Sequence, residues 1–258
     1  MKKLAIIAAA MLTLSSCGIL QGINWNEEAL ASATGKIVTA ASITDDQIIQ
    51  LCQQSIAQMD AEATIDNGTY AKRLARLMNG VNSAGDLPVN FKVYKKDEIN
   101  AFACGDGSVR VYSGLMDVMN DEQLIAIIGH ELGHLCHQDT KKAMKKAYMT
   151  SAARDAVASV GAVGAIASSM LGDISEAFLQ AQFSQKQEFA ADEFGYEFAV
   201  YRGCSPYAMA QALEKLVELN NGQQASAVAQ MFASHPNSEV RAAKMRAKAD
   251  EAKAAAQK

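Results

Sequence analysis

The chain has 258 residues, and its 24 Lys and Arg against 28 Asp and Glu give a formal net charge of −4. Half of its residues are hydrophobic, which excludes an intrinsically disordered chain, and the lack of a basic excess argues against a nucleic-acid binder. Prolines number only three and alanine supplies much of the apolar share, so the composition favours a helix-rich globular protein. The length allows one large domain or two small ones.

The first residues have the pattern of an export signal. Two lysines precede an uncharged run over residues 4–14, far shorter than the roughly 20 residues that span a bilayer. Residues 14–17 then resemble a bacterial lipobox, in which the cysteine is lipidated. We predict a signal peptide over residues 1–16 and a lipid anchor on Cys17; an ordinary secreted protein with an unmodified cysteine is the alternative. Gly18, rather than Asp, follows the cysteine, which favours the outer membrane over the inner one.

Residues 17–36 lack a regular apolar period, and we interpret them as a lipidated tether to a domain over residues 37–246. Within that domain, Thr44 opens a capping-box pattern. The apolar residues that follow recur at helical intervals and predict a first helix that runs to about Ala63. Residues 70–81 repeat the amphipathic pattern and predict a second helix.

The apolar pattern then changes from the period of helices to that of strands. Residues 89–94 and 109–112 alternate, and the short apolar segment 101–104 lies between them. These segments predict a small sheet of about three strands. From Asn120 the pattern is helical almost to the end, where residues 247–258, rich in alanine and lysine, predict a frayed and solvated helix.

One helical segment needs comparison with a transmembrane span. Residues 156–172 carry no charge, and their larger apolar side chains recur every three or four positions. A membrane-crossing helix is normally longer and richer in Leu, Ile and Phe, so we interpret the segment as a helix of the soluble domain. Peripheral contact with the bilayer stays open.

Three of the four histidines lie close together, in the sequence His130-Glu131-Leu132-Gly133-His134 and at His137. Because His130 and His134 are four residues apart, both face one side of a helix and can reach one Zn²⁺. Glu131 would lie beside the metal and accept a proton from water. The alternative is a coincidental match with histidines satisfied in a core. Since the motif falls on a predicted helix of an exported chain, we interpret it as a zinc hydrolase site.

A catalytic zinc usually has three protein ligands and one open position. Thr140 stands where an extended metzincin pattern requires a histidine, and His137 faces another side of the helix. Glu188 and Asp192 are four residues apart on an apparent helix, and they could serve as the third ligand and as an acceptor for a ligand histidine. Taken alone, such an acidic pair is usually a solvated face. Two small residues would allow this helix to pack closely on the first: Ala191 and Gly195.

Together these motifs resemble the gluzincin metallopeptidase family that includes HtpX, the CAAX prenyl endopeptidases and the mitochondrial Oma-type proteases. The resemblance is greatest to a branch of small bacterial lipoproteins and covers essentially the whole mature chain. It extends to residues 100–103, 107–116 and 234–236, and to Arg241. It implies an α+β, mostly helical, zincin-like domain with a small mixed sheet beside the helix that carries the histidines.

The resemblance also implies roles for single residues. One zinc ion per chain would be bound by His130, His134 and Glu188, with Glu131 as the general base. Asp192 would orient a ligand histidine, His235 would stabilise the oxyanion opposite the metal, and Arg241 would tether the His235 loop. An extended peptide would add as a further strand to the substrate-binding edge, which consists of Asn100, Ala101, Phe102 and Ala103.

Two further features concern the family pattern. Many relatives have a histidine five residues beyond the second zinc histidine; here that position is Asp139, which argues against an extra metal or regulatory role there. Besides Cys17, four cysteines remain, and they allow three complete pairings. The branch suggests a disulfide between Cys52 and Cys104, which would leave two unpaired and buried cysteines, Cys136 and Cys204.

The function expected from these features is peptide-bond hydrolysis in misfolded or damaged envelope proteins, by an outer-membrane lipoprotein that faces the periplasm. A complex with other envelope proteases or assembly factors is a possible setting. The competing hypothesis is a chaperone or assembly lipoprotein that uses the same cleft mainly to hold clients. Glu131 favours the enzyme, because a protein that only binds does not need the base.

Overall fold

The structure is a computed structural model that describes residues 43–158 and 169–257. The predicted signal peptide, the tether and Cys17 lie outside these ranges. The helices are α1 (Asp45–Glu62), α2 (Thr69–Leu77), α3 (Ser113–Val118), α4 (Asp121–Cys136), α5 (Asp139–Ala158), α6 (Ser169–Leu179), α7 (Gln185–Tyr201), α8 (Ala208–Asn221), α9 (Ala225–Ser234) and α10 (Ser238–Ala256). The strands are β1 (Ser83–Ala84), β2 (Leu87–Pro88), β3 (Asn90–Tyr94), β4 (Ala101–Ala103) and β5 (Ser108–Tyr112).

The first two helices were both predicted, and the second is shorter than expected. At the start of α1, the Thr44 hydroxyl accepts from the Gln47 backbone N–H and the Gln47 side chain accepts from the Thr44 N–H, so the capping box is confirmed. The α2 helix ends at Leu77 rather than at residue 81. Gly80 lies beyond it with a φ of 82°, a conformation that a helix cannot continue through.

The predicted sheet of three strands is confirmed, and it is mixed. Its order is β3-β5-β4, with β3 parallel and β4 antiparallel to the central β5. The parallel register runs from the pair Asn90 and Ser108 to the pair Tyr94 and Tyr112. A separate two-stranded hairpin of β1 and β2 was not predicted; its turn contains Gly85, which has a φ of 60°.

Apolar packing covers both faces of the sheet. On one face, Val93, Val109 and Val111 belong to a large core shared with α4, α8 and α10. On the other, Tyr94, Phe102 and Tyr112 form a cluster of rings whose centroids are 5.9–6.3 Å apart, and α1, α5 and α6 cover it. The sheet is therefore buried between two sets of helices, and β4 is one of its edges.

Helix α4 lies at the centre of the domain, packed between β4, α7 and α8. Asn120 caps it through a capping box with Gln123, at the residue from which the sequence predicted a helical pattern. The close approach of α7 is also confirmed: a Cβ on Gly195 would lie 2.7 Å from the Ala126 carbonyl oxygen and 2.9 Å from the His130 nitrogen. Only glycine fits at this crossing, and it brings the two helices with the candidate ligands together.

The chain ends in α10, which is helical through Ala256. Met245 and Ala249 are buried against the main core, so the segment 247–258, expected to be frayed and solvated, is packed on the domain up to Ala249, and most of its later residues are exposed. Within the ranges that the structure describes, no helix is both long and apolar enough to cross a bilayer. The uncharged segment over residues 156–172 lies largely outside those ranges.

Candidate metal centre

Helix α4 places two imidazoles at one point. His130 and His134 are one helical turn apart, and their Nε2 atoms are 3.1 Å from each other. Both side chains are buried, with relative exposures of 2% and 0%. Two imidazole nitrogens that converge in a dry interior are suited to share one cation.

Glu188 supplies a carboxylate to the same point from α7. Ser184 caps this helix through a capping box with Gln187, which puts Glu188 in the first turn. Its Oε1 lies 3.4 Å from His134 Nε2, and its Oε2 lies 3.7 Å from His130 Nε2. The structure thus brings the three predicted ligands together.

His235 lies beside the three predicted ligands. Its Nδ1 is 3.0 Å from Glu188 Oε1 and 3.3 Å from His130 Nε2. One donor atom from each of four buried residues, His130, His134, Glu188 and His235, therefore lies within 4.8 Å of the others. The turn after His235 uses Asn237 in the left-handed region, with a φ of 64°, which asparagine tolerates better than most residues.

Asp192 and Arg241 form a second layer around the cluster. Asp192 Oδ1 is 2.9 Å from His130 Nδ1, and the Arg241 guanidinium donates to both Asp192 oxygens at 2.6 and 2.7 Å. Arg241 Nη1 also donates to the His235 carbonyl at 3.4 Å and forms an ion pair with Glu188, without hydrogen-bond geometry. The predicted tether of the His235 loop is thus a buried arginine that contacts both acidic residues.

These contacts keep the two acidic residues charged. Burial raises the pKa of Glu188, but the electrostatic interaction with His235 and the hydrogen bond with His134 outweigh it and hold that pKa well below its usual range. Burial likewise raises the pKa of Asp192, and the hydrogen bonds from Arg241 and His130 lower it below the ordinary value. Glu188 is therefore available as an anionic ligand for a cation, and Asp192 as an anionic acceptor for a ligand histidine.

Glu131 has the features of a general base in this cluster. It is 2% exposed, and its Oε1 is 3.7 Å from His235 Nε2. Among the described residues, that oxygen has no hydrogen-bond partner. A buried carboxylate oxygen left without a partner is costly, and it indicates a place for a water molecule or another polar group. Two imidazoles, a carboxylate and this neighbouring oxygen fit a catalytic zinc site with an open position.

Asp139 also belongs to the site, although the sequence did not indicate it. Its Oδ2 lies 3.3 Å from His134 Nδ1, on the ring edge opposite the cluster. Burial lowers the pKa of His134, but the hydrogen bonds with Asp139 and Glu188 outweigh it and raise that pKa to about 9. The sequence signal for this role was the acidic residue itself, which stands just beyond the end of the helix that carries the two ligand histidines. The neighbouring His137, which was predicted to face another side of the helix, is exposed.

The predicted substrate-binding edge adjoins this helix but adds no donor to the cluster. Strand β4 packs against α4, and all its side chains are buried; Phe102 belongs to the aromatic cluster on the far face. Asn100, just before β4, is 3% exposed, and its Oδ1 has no hydrogen-bond partner in the part of the chain that the structure describes.

The cysteines within residues 43–158 and 169–257 are all free thiols. Cys52 and Cys104 are buried in the same apolar cluster as free thiols, so the pair suggested as a disulfide is not covalently bonded in this structure. Cys136, the last residue of α4, and Cys204, in the loop between α7 and α8, are unpaired, as expected, but they are half-buried rather than buried.

The chain is similar to a known peptidase family and to several bacterial proteases. Residues 65–249 match the model of peptidase family M48. The chain is 41% identical to metalloprotease LoiP of Escherichia coli K12 over 245 residues, which cover 93% of this chain and 96% of that protein. It is 36% identical to metalloprotease YcaL over 250 residues, covering 95% and 96%. A beta-barrel assembly-enhancing protease is 29% identical over 82% of this chain and 45% of its own length.

Proposed function

The chain belongs to peptidase family M48 and is a metalloprotease, and on this premise we propose that it uses zinc to hydrolyse internal peptide bonds of misfolded or damaged cell-envelope proteins. The observation that carries the proposal is the buried convergence of two imidazoles and a carboxylate beside Glu131. A protein that only held its clients would not need a carboxylate base at that position.

The chemistry of the donors supports zinc. Two imidazole nitrogens and one carboxylate oxygen are a common ligand set for catalytic zinc, and His130, His134 and Glu188 provide them. When bound, zinc polarises the scissile carbonyl and lowers the pKa of water. Asp192 holds His130 through its Nδ1 and thereby directs Nε2 towards the ion.

The chain's own residues supply the proton transfers. In this proposal, Glu131 accepts a proton from the attacking water and later delivers it to the leaving amine. His235, whose Nε2 is 3.7 Å from Glu131 Oε1, donates a hydrogen bond to the oxyanion of the tetrahedral intermediate. Arg241 keeps the His235 loop in place through the carbonyl of that residue.

The proposed substrate is an extended segment of an unfolded protein. Such a segment would pair with the edge strand β4 through main-chain hydrogen bonds, which depend little on side-chain sequence. In a folded protein most extended segments are already paired in a sheet, so recognition of this kind favours unfolded clients. The lipobox supports attachment to the outer membrane through Cys17, with the protease domain in the periplasm and other envelope proteases or assembly factors as possible partners.

One experiment tests this proposal. The full chain, purified in detergent and loaded with zinc, is given one envelope protein in its native form and in a chemically unfolded form. We expect internal cleavage of the unfolded form only, loss of cleavage with a chelator, and recovery with added zinc. Protection of the client from aggregation without any cleavage would contradict the proposal and support the holding function instead.

A further inference from the structure

Asp139 is a buried carboxylate to which the proposed reaction assigns no role. It is 2% exposed, although it is the first residue of α5 and follows directly after an exposed turn. Gln138 adopts the left-handed conformation in that turn, with a φ of 58°. The backbone N–H groups of His137 and Gln138 donate to carbonyls in the last turn of α4. This tight reversal folds the Asp139 side chain back beneath the end of α4.

The two oxygens of Asp139 join two parts of the metal centre. Oδ2 is 3.3 Å from His134 Nδ1, whereas Oδ1 accepts from Gln187 Nε2 at 2.8 Å. Lys142 Nζ is also 3.3 Å from Oδ1, but its side chain is largely exposed. Gln187 immediately precedes Glu188 and takes part in the capping box that starts α7. One carboxylate therefore connects a ligand histidine on α4 to the turn that presents the ligand glutamate on α7.

The contact with Asp139 fixes which nitrogen of His134 faces the cluster. A carboxylate accepts, so Nδ1 carries a hydrogen whichever form the ring takes, and Nε2 is the nitrogen that a cation binds by displacing the proton there. That Nε2 lies 3.1 Å from His130 Nε2 and 3.4 Å from Glu188 Oε1, where the other donors converge. Phe183 stacks on the ring face, with centroids 4.0 Å apart and an angle of 18° between the planes. The ring is thus held at its edge and on its face.

The two ligand histidines therefore have equivalent supports from different helices. His130 is held by Asp192 on α7, and His134 is held by Asp139 at the start of α5. We propose that Asp139 is a positioning residue that orients His134 towards the metal and, through Gln187, aligns it with Glu188. This inference rests on the proposed zinc site. A purely structural role, as an acidic residue in the first turn of a helix, would make the same side chain irrelevant to metal affinity.

The test compares two aspartates at the same helical position. Asp45 is the first residue of α1 and pairs with Lys141 at 2.7 Å, but it is exposed and makes no contact with the cluster. Full chains carrying Asp139→Ala, Asp139→Asn or Asp45→Ala are purified in detergent. Zinc affinity is measured by competition with a chromophoric chelator, coordination by the visible spectrum of bound Co²⁺, and stability by thermal unfolding without metal.

We expect Asp139→Ala to weaken zinc affinity by about 10- to 100-fold and to change the Co²⁺ spectrum, whereas Asp45→Ala should match the parent in both. Asp139→Asn keeps an oxygen acceptor without the charge and preserves the volume, so its loss should be smaller; it also serves if the alanine variant does not fold. Parental zinc affinity and an unchanged spectrum in the Asp139 variants would overturn the inference. If the parent chain itself bound no zinc, the proposed function would fail together with it.

Discussion

Two clusters of charged groups lie in this domain, one partly buried around Asp60 and one buried around the α4 histidines, and they differ in how completely their hydrogen bonds are satisfied. Around Asp60 on α1, the carboxylate accepts from Arg110 at 2.8 and 3.0 Å, from Lys92 at 2.6 Å and from the Tyr94 hydroxyl at 2.7 Å. Arg110 is 1% exposed and sits in the central strand. This cluster joins the first helix to the sheet and leaves no charge of the pair unmatched.

In the cluster around the α4 histidines, the hydrogen bonds are less completely satisfied. Its four donor atoms point at one another within 4.8 Å, and three of the groups are imidazoles. Within residues 43–158 and 169–257, Glu131 Oε1 has no hydrogen-bond partner. Buried polar groups without partners cost free energy, so a fold tolerates them mainly where a ligand or a reaction needs them. The satisfied cluster therefore indicates a structural role and the unsatisfied one a functional role.

Removal of a metal ligand should give the largest difference in function between the two clusters. We expect His134→Ala to lose bound zinc and to reduce cleavage by about 10³-fold or more, because the stabilisation lost with the ion is worth several kcal/mol. Zinc content by elemental analysis and cleavage of an unfolded substrate provide the measurements. Full zinc occupancy and parental cleavage in this variant would show that the histidine is structural.

The opposite result is expected for the satisfied cluster. Asp60→Ala leaves the Arg110 guanidinium buried without its anion, which should lower the free energy of unfolding by about 3–5 kcal/mol while bound zinc per folded chain is unchanged. Urea unfolding gives the stability. Asp45→Ala serves as the control, since its pair with Lys141 is exposed and screened by solvent and should change the free energy of unfolding little. Equal effects of both substitutions would contradict the contrast.

Two roles are compatible with the position of His235: a hydrogen-bond donor to the oxyanion, or a metal ligand. One substitution distinguishes them. If it donates to the oxyanion, His235→Ala should slow cleavage by about 10²- to 10³-fold and keep zinc bound. His235→Asn, which retains a donor, should recover part of the rate. Loss of zinc from the alanine variant would instead identify Nδ1, 3.0 Å from Glu188 Oε1, as a fourth metal donor.

The pH dependence of stability tests the contribution of the ionised Asp60 carboxylate, and its expected effect is smaller. Burial raises the pKa of Asp60, but hydrogen bonds from Arg110, Lys92 and Tyr94 outweigh it and lower the pKa to about 2 from 3.8. Because the pKa is depressed in the folded state, the carboxylate stabilises the fold above pH ~4, and this contribution of about 2 kcal/mol disappears as the pH falls towards 2. The stability difference between the parent and Asp60→Asn should shrink over that interval; a constant difference would contradict the assignment.

Local signals in the sequence were sufficient to predict the helix starts and the shared face of the two α4 histidines. The capping residues Thr44 and Asn120 mark helix starts because their hydrogen bonds reach only three residues ahead. The two histidines of α4 share a face through helical periodicity alone. Their pairing with Glu188 needed the family resemblance in addition, since an acidic pair on a helix does not reveal what it faces.

The features that the sequence did not show depend on tertiary contacts. Asp139 reaches His134 only because Gln138 adopts a positive φ, which no residue pattern specifies for glutamine. The β1–β2 hairpin has strands of two residues, too short to show an alternating pattern. The α2 helix was predicted too long because Val81 continues the apolar spacing after Gly80 has already ended the helix.

The proposed mechanism depends most on Glu131, which acts as the base beside a metal held by other residues. Its most direct test is to measure bound zinc and cleavage of an unfolded protein for the parent chain and for Glu131→Gln, purified in parallel. We predict one zinc per chain in both proteins, with cleavage slower by about 10²- to 10⁴-fold in the variant. Equal cleavage rates at equal zinc content would contradict the claim, since the base would then lie elsewhere.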